Sequence, residues 1–383
     1  MVRGRRIPLI VVGVLVAISA RAERLPVQRL GTAEGLAEET VTALLRDSRG
    51  YLWVGSLNGL SRFDGERFKV YGLEDGLPKL RVFALAEGPD GSVWVATGGG
   101  LVRLDPSRST SRPVFGPAGI PEAAGRAVEQ VFVDRGGAIW FGSGGELFRI
   151  EGAMARPAGL SAAEPRRAVI RAMREAGDGT LWIATSRGLF RLPRGGIPVR
   201  LQLMGTSEPD DVRGLLIDRD GRLWVTTAAA VFVFPADMPG TRSALARPLL
   251  DGEGRVHLPP PGGERAVLRE VPGARRGLWQ KALETRDGRI VLSSTAGLVV
   301  VAAGRVSTFG RRQGLGGGLL GELLEDANGN LWIGTQSTGL LRLSPAGFTS
   351  FGEEDGLEDP RIASLGSDAD GRVYAASAGN AVL

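Results

Sequence analysis

The chain has 383 residues and a formal net charge of +5; 58 residues are glycine, 22 are proline and only 6% are aromatic. It has no cysteine, which excludes disulfides and thiolate sites, and its one histidine, His257, excludes sites built from several imidazoles. Setting aside the basic residues 1–22 lowers the charge to +1, so we predict no nucleic-acid partner. The composition favours many short strands joined by tight turns.

The first 22 residues form a separate segment. Arg3, Arg5 and Arg6 precede the apolar run IPLIVVGVLVAISA, and Ala-Arg-Ala follows at 20–22. This order predicts a signal peptide cut after Ala22, and therefore a periplasmic or other extracytoplasmic location. The alternative is a retained membrane anchor, although this apolar run is short for crossing a bilayer.

From residue 23 onward, one short pattern recurs eight times, as in DGTLWIATSRGLFRL at 178–192. Its central column consists of Trp53, Trp94, Trp140, Trp182, Trp224, Val291, Trp332 and Tyr374. Successive copies lie 41–46 residues apart, except for one step of 67. This period is that of a four-stranded propeller blade, and the Gly-rich turns argue against a helical solenoid.

Two further columns predict how each blade is built. A glycine three residues before the aromatic suits a hairpin turn with positive φ: Gly50, Gly91, Gly137, Gly179, Gly221, Gly288, Gly329 and Gly371. A hydroxyl three residues after it suits a recurring bond to backbone, not catalysis: Ser56, Thr97, Ser143, Thr185, Thr227, Ser294, Thr335 and Ser377.

The two ends of the chain bear on ring closure. The stretch LPVQRLGTAEGL after the signal peptide reads as an outer strand without its own blade, which can pair with the last blade and remove exposed edges. The eighth copy stops at GNAVL, within its third strand, so we expect a truncated chain. We predict an all-β fold: a signal peptide at 1–22, a seven-bladed propeller of four-stranded blades at 23–346, and an incomplete further blade at 347–383 that begins a second propeller. The alternative is eight blades that close imperfectly.

The motifs DG-x-LW-[IV]-[GA]-T and F-x-x-[YF]-x-x-x-DGL resemble the two-component regulator propeller repeat family. That resemblance implies two consecutive seven-bladed propellers in the extracytoplasmic sensor of a membrane-bound regulator. It also implies an immunoglobulin-like domain, a membrane helix and a histidine kinase or diguanylate cyclase further along the full-length protein, and a possible homodimer. We identify none of these output elements in this sequence and predict no enzymatic activity for it.

Counting twelve residues back from the aromatic column predicts where the inner strands begin: Val41, Val82, Val128, Ile170, Val212, Trp279, Leu320 and Ile362. Trp279 is therefore predicted to be a core residue. The adjoining positions vary in charge, where a scaffold position would repeat, so we predict that they bind a ligand at the channel mouth. The candidates are Arg81, Glu129, Arg171, Asp211, Arg213, Gln280 and Arg361.

Arginines paired with Glu129 and Asp211 would suit a polar or anionic ligand, such as an acidic oligosaccharide. The alternative is that these side chains are simply solvated. Two enzymatic functions remain as alternative hypotheses: a glycosidase that uses Glu129 and Asp211, or a lyase that uses His257. A protein-binding scaffold is the third alternative.

The long step between copies reflects an insertion within 235–278, which contains His257. It is predicted to be either a rim loop that acts as a lid or partner contact, or a disordered surface excursion. The D-x-D-G strings at 218–221 and 368–371 are attributed to turns, because a calcium loop needs further ligands at fixed spacing. No metal and no cofactor are predicted.

Overall fold

A computed structural model describes residues 25, 27–104, 115–117, 120–164, 167–201, 203, 211–228, 230–234, 248–250, 255–256, 269–270, 279–302, 305–316, 319–345, 362–367 and 373–377. The chain divides into two compact units, one spanning 25–348 and one made of 1–24 and 349–383. The signal peptide prediction lies outside the described residues.

Residues 25–348 form a seven-bladed β-propeller, which confirms the predicted all-β fold. Blade 1 contains β2 (Val41–Arg46), β3 (Leu52–Ser56), β4 (Gly59–Phe63) and β5 (Phe68–Tyr71). Blade 2 contains β6 (Val82–Glu87), β7 (Val93–Thr97), β8 (Gly100–Leu104) and β9 (Phe115–Pro117). Blade 3 contains β10 (Val128–Val133), β11 (Ile139–Ser143), β12 (Glu146–Glu151) and β13 (Met154–Pro157).

The remaining blades repeat this order. Blade 4 contains β14 (Ile170–Glu175), β15 (Leu181–Thr185), β16 (Gly188–Leu192) and β17 (Val199–Leu201). Blade 5 begins with β18 (Val212–Ile217), β19 (Leu223–Thr227) and β20 (Val231–Phe234). Blade 6 contains β24 (Trp279–Glu284), β25 (Ile290–Ser294), β26 (Gly297–Ala302) and β27 (Arg305–Phe309). Blade 7 contains β28 (Leu320–Glu325), β29 (Leu331–Thr335) and β30 (Leu340–Leu343).

The ring closes through its first strand. β1 (Val27–Leu30) pairs antiparallel with β30 of blade 7, with Val27 opposite Leu343 and Leu30 opposite Leu340. The strand therefore supplies the fourth strand of blade 7 and covers its edge, as predicted for closure of seven blades. In the other unit, β31 (Ile362–Ser367) and β32 (Val373–Ser377) form an antiparallel pair.

Blade 5 differs from the prediction for the insertion. Three short strands lie within it, β21 (Pro248–Leu250), β22 (Arg255–Val256) and β23 (Arg269–Glu270), and they extend the blade to six strands. At these described residues the insertion is neither loop nor disordered, because backbone pairing continues outward from β20. A role as a lid or partner contact stays a prediction. His257 lies outside the described residues.

Few of the described residues are helical. One short α-helix, α1, spans Leu160–Ala163, and 3-10 turns span Thr32–Glu34, Leu73–Asp75, Pro121–Ala123 and Arg311–Gln313. Three of these turns explain the repeated Gly-Leu loop. Their last residue accepts a backbone N–H from the glycine before the turn, through Glu34, Asp75 and Gln313 at 2.6–2.9 Å.

Neighbouring blades meet at a column of small residues two positions after the aromatic. A Cβ added to Gly55 would lie 2.7 Å from Val82 Cγ1, and one added to Gly334 would lie 2.6 Å from Val41 Cγ1. Each glycine therefore makes room for the first residue of the next blade's inner strand. In blades 5 and 6 the position carries a hydroxyl, and Thr226 donates instead to the Gln280 carbonyl at 2.7 Å.

The turn and hydroxyl columns behave as predicted. The described turn glycines all have positive φ, between 75° at Gly91 and 93° at Gly50. Six of the hydroxyls donate to a backbone carbonyl at the start of the third strand, as Ser56 does to Gly59 at 2.8 Å. Ser143 donates to the Ala127 carbonyl instead. Each of these bonds fixes the hairpin that carries the aromatic.

Candidate functional site: the central channel

The inner strands of all seven blades surround a central cavity of about 410 Å³. Every inner strand begins at the residue that the twelve-residue count predicted. Trp279 starts β24 and is 3% exposed among apolar neighbours, so it is a core residue as predicted. The channel is formed by strand walls whose polar side chains differ from blade to blade.

Asp211 organises a charged cluster at the entrance to β18. Arg213 Nε donates to Asp211 Oδ2 at 3.0 Å, and Arg171 Nε of the neighbouring blade lies 2.9 Å from Asp211 Oδ1 as an ion pair. All three side chains are partly exposed. The predicted pairing of arginines with Asp211 is therefore present, and it links blades 4 and 5 through one carboxylate.

Glu129 lies in a drier environment. Its side chain is 10% exposed, and Arg167 Nη2 approaches its Oε1 at 3.4 Å. Burial raises the pKa of Glu129, although its own backbone, the Gly144 backbone and Arg167 all act to lower it. Its Oε2 makes no hydrogen bond to any residue that the structure describes. The partner of Glu129 is thus Arg167, which the sequence analysis did not single out.

Four further charged residues line the channel and were not predicted: Glu87, Arg174, Lys281 and Glu322. Lys281 Nζ pairs with Glu322 Oε1 at 3.0 Å between blades 6 and 7. Arg174 lies in the channel wall of blade 4 and donates to the carbonyl of Met173 at 2.8 Å. Arg174 is exposed to the channel, yet the surrounding channel walls desolvate its guanidinium and lower its pKa, and the Glu322 carboxylate acts in the opposite direction.

Arg174 differs from the other channel arginines in its charge balance. Arg171 and Arg213 share the Asp211 carboxylate, whereas Arg174 forms no ion pair with any described residue. Its positive charge inside the ring is therefore the least neutralised of the three. An anionic ligand would gain most by approaching this guanidinium.

The other predicted ligand-binding residues are placed as follows. Arg81 is exposed, and its guanidinium carbon lies 5.3 Å from the centre of the Phe83 ring. Gln280 is half-buried, and its backbone carbonyl accepts a hydrogen bond from the Thr226 hydroxyl. Arg361 lies outside the described residues. The structure therefore brings Arg171, Asp211 and Arg213 into direct contact and engages Arg81 with an aromatic ring.

The D-x-D-G turn at 218–221 serves the fold. Asp218 accepts the Arg222 backbone N–H at 2.8 Å and the Trp224 indole N–H at 2.8 Å. Within the described ranges, no three histidine, aspartate or glutamate side chains cluster closely enough to hold a metal ion. Over the same part of the chain, no helix has the length and apolar character needed to cross a membrane.

Four segments of the chain match the sequence model of the family described as Two component regulator propeller: 35–58, 76–99, 207–229 and 315–337. The segments contain the hairpins of Trp53, Trp94, Trp224 and Trp332. These four segments therefore match the repeat of this family, as the motifs predicted. A search of curated proteins gave no match.

Among solved structures, the chain is similar to the extracellular domain of a putative hybrid two component system from B. thetaiotaomicron, with a TM-score of 0.69 and 18% identity. The match covers 94% of this chain and 47% of that one. A second extracellular domain from B. thetaiotaomicron, of a putative one component system, has a TM-score of 0.62 and 19% identity over 85% of this chain and 43% of that one.

Virginiamycin B lyase from Staphylococcus aureus, solved in a catalytically inactive form with Quinupristin, is also similar. Its TM-score is 0.61 and its identity 12%, over 83% of this chain and 98% of that one. These identities show a shared fold alone. The chain spans less than half of the two sensor-system structures and nearly all of the lyase structure.

Proposed function

We propose, since the chain carries the repeats of the two-component regulator propeller family, that it is the extracytoplasmic ligand-sensing propeller of a membrane-bound two-component-type regulator. The family repeats and the likeness to extracellular sensor domains support this assignment. The predicted signal peptide supports export. The output, a histidine kinase or diguanylate cyclase, belongs to a membrane-bound partner domain in the full-length protein.

The ligand we propose is a small polar molecule that carries an anionic group, such as an acidic oligosaccharide. The observation that carries this proposal is the channel itself: scaffold columns repeat in every blade, whereas the channel positions carry unlike charges. Arg174 offers the least neutralised cation, and the Arg171–Asp211–Arg213 cluster offers donors and an acceptor to hydroxyl groups. Bidentate arginine contacts give such a site its preference for carboxylates.

We propose that this chain itself is not catalytic. A retaining or inverting glycosidase needs two carboxylates free to face the sugar, and Asp211 is already shared by two arginines. Glu129 has the raised pKa that a general acid needs, yet Arg167 lies against it. Conversion of a saccharide by the purified chain would replace the sensing proposal with an enzymatic one.

The test is a binding measurement on the purified full chain by titration calorimetry, with uronic acid oligosaccharides and neutral oligosaccharides of equal length as probes. We expect the acidic series alone to bind, and Arg174→Leu and Arg171→Ala each to weaken binding on the order of tenfold or more. Arg194→Ala, at an exposed position outside the channel lining, is the matched control and should bind as wild type. Binding that is unchanged in both channel variants would overturn the channel assignment.

A further inference from the structure

Four junctions between consecutive blades share a carboxylate contact at the end of an inner strand. The last residue of an inner strand is glutamate, and it accepts a backbone N–H from the hairpin turn of the preceding blade. The pairs are Glu87 with Ser48 (2.9 Å), Glu175 with Arg135 (2.6 Å), Glu284 with Arg219 (2.8 Å) and Glu325 with Arg286 (2.7 Å). The turn N–H is therefore a carboxylate site that the fold uses repeatedly.

The junction between blade 7 and blade 1 has the same frame but no glutamate. Arg46 ends β2 opposite Leu52, just as Glu87 ends β6 opposite Val93. The equivalent turn N–H belongs to Ala327, an exposed residue. Asn328 N donates to Asp326 Oδ1 and Gly329 N to the Asp326 carbonyl, whereas Ala327 N has no acceptor among the described residues.

A cavity of about 300 Å³ lies at this junction, lined in part by Arg46, Asp64, Asp326 and Arg342. The two acidic side chains already accept hydrogen bonds within their own turns. Asp64 accepts the backbone N–H groups that follow it, and Asp326 accepts four donors from its own turn and strand.

The two arginines of the cavity, Arg46 and Arg342, are less fully paired. Arg46 makes no hydrogen bond or ion pair with any described residue, and its guanidinium lies beside Gly50. Arg342 lies over the Trp332 ring at 5.5 Å, and its Nε has no hydrogen-bond partner in the described part of the chain. The junction thus presents an amide N–H and guanidinium groups that pair with no described residue.

The two other junctions without glutamate do not offer this combination. At the junction of blades 2 and 3 the equivalent turn residue is Pro89, which has no N–H to donate. At the junction of blades 4 and 5 the inner strand ends with Ile217, which carries no charge. A free turn N–H beside an unpaired arginine is therefore confined, among the described junctions, to the blade 7–blade 1 seam.

We propose that the blade 7–blade 1 seam is a binding site for a carboxylate group supplied from outside the propeller, by an acidic side chain or by a small organic acid. The carboxylate takes the place that glutamate fills at four other junctions. It accepts the Ala327 N–H and pairs with the Arg46 guanidinium, which gives two charge-assisted hydrogen bonds. This site is separate from the channel and does not depend on the sensing proposal.

The binding test uses the full chain, isotope-labelled for amide NMR, with two probes: succinate and the capped peptide acetyl-Gly-Glu-Gly-amide. We expect a saturable shift of the Ala327 amide, with the affinity on the order of tenfold weaker in Arg46→Gln. Saturation with both probes identifies the carboxylate as sufficient, and saturation with the peptide alone identifies an acidic side chain. Failure of both probes to give a saturable shift, or equal affinity in Arg46→Gln, overturns the proposal.

A stability measurement tests the same geometry without a ligand. Arg46→Glu restores the carboxylate that the other junctions have, so the unliganded chain should unfold at a higher temperature and no longer respond to either probe. Arg194→Glu makes the same charge change beside the equivalent turn glycine, Gly179, and should produce neither effect. If Arg46→Glu unfolds at a lower temperature than wild type while Arg194→Glu does not, the seam does not have the geometry that we assign to it.

Discussion

Blades 1, 3, 5 and 7 hold the central residue of the second strand differently from blades 2, 4 and 6. In the odd-numbered blades an aspartate six residues before the tryptophan accepts its indole N–H. The pairs are Asp47–Trp53 (2.9 Å), Asp134–Trp140 (2.9 Å), Asp218–Trp224 (2.8 Å) and Asp326–Trp332 (2.9 Å). In blades 2, 4 and 6 that position is Gly88, Ala176 or Thr285, and the buried Trp94 indole N–H has no hydrogen-bond partner among the described residues.

The difference shows that one repeat period supports two ways of fixing a hairpin. In blade 1, Asp47 joins the turn to the core, because its Oδ1 accepts Tyr51 N at 2.9 Å while its Oδ2 accepts the buried indole. In blade 6, Thr285 bonds to its own turn and Val291 packs without any polar anchor. Apolar burial is common to both kinds of blade, and the carboxylate is an additional contact in one kind.

Removing the central tryptophan should lower the free energy of unfolding more than any other change. The loss should differ between the two kinds of blade. Deleting a buried large aromatic side chain costs about 3–5 kcal/mol, which we expect for Trp182→Ala in blade 4. Trp53→Ala should cost about 1–3 kcal/mol more, since it also leaves the buried Asp47 carboxylate without its indole donor. Urea unfolding of both variants measures this difference. Equal losses would show that the carboxylate adds nothing beyond burial.

Acid should weaken blade 7 through its aspartate, Asp326. Burial acts to raise the pKa of Asp326, but hydrogen bonds from Asn330, Trp332 and the turn backbone outweigh it and leave this pKa below its ordinary value. Because the folded pKa is the lower one, Asp326 stabilises the fold fully above the unfolded pKa, near 4, and this contribution is lost as pH falls through the folded pKa.

The variant Asp326→Asn isolates this contribution, since every other carboxylate titrates in both proteins. At pH 7 we expect it to be less stable than wild type by about 1–3 kcal/mol. This difference in the free energy of unfolding, the gap between the two proteins, should narrow as the pH is lowered below about 4. Thermal unfolding of the two proteins across that range gives the gap at each pH. A gap that stays constant down to acid pH would mean that the carboxylate charge does not act through these bonds.

The sequence predicted the features that arise from local turns and from period. The start of every inner strand and the sites of the turn glycines follow from short-range chemistry that each blade repeats, and closure by β1 follows from counting blades. The sequence also placed Arg171, Arg213 and Asp211 together, because neighbouring inner strands bring equivalent positions side by side.

Other residues of the channel could not be predicted from the sequence. A bulge interrupts the pairing of each inner strand near its start, as between Val41 and Ala43, so a count of alternate residues does not tell which side chains face the channel. Arg174, Lys281 and Glu322 were missed for this reason. The pairing of Arg167 with Glu129 was missed because it joins residues of two different blades. Strands β21–β23 were missed because they pair within a Pro/Gly-rich insertion that carries no strand alternation.

The smallest expected effect comes from adding the aspartate to a blade that lacks it. Ala176 N donates to the Thr180 carbonyl at 2.8 Å, as Asp47 N does to Tyr51 at 3.0 Å, so the two turns share one frame. Ala176 already has a Cβ, and Ala176→Asp would add a carboxylate six residues before Trp182. We expect a gain of about 1 kcal/mol, measured by urea unfolding.

Ala176→Ser is the matched control, because its hydroxyl is too short to take the place of the carboxylate and should leave stability unchanged. A gain in the aspartate variant alone would show that the indole contact is a transferable stabilising element of the blade. A loss in that variant would mean that the desolvation of the added carboxylate outweighs its new hydrogen bond. The aspartates of blades 1, 3, 5 and 7 would then stabilise the fold mainly by bonding to the backbone of their own turns.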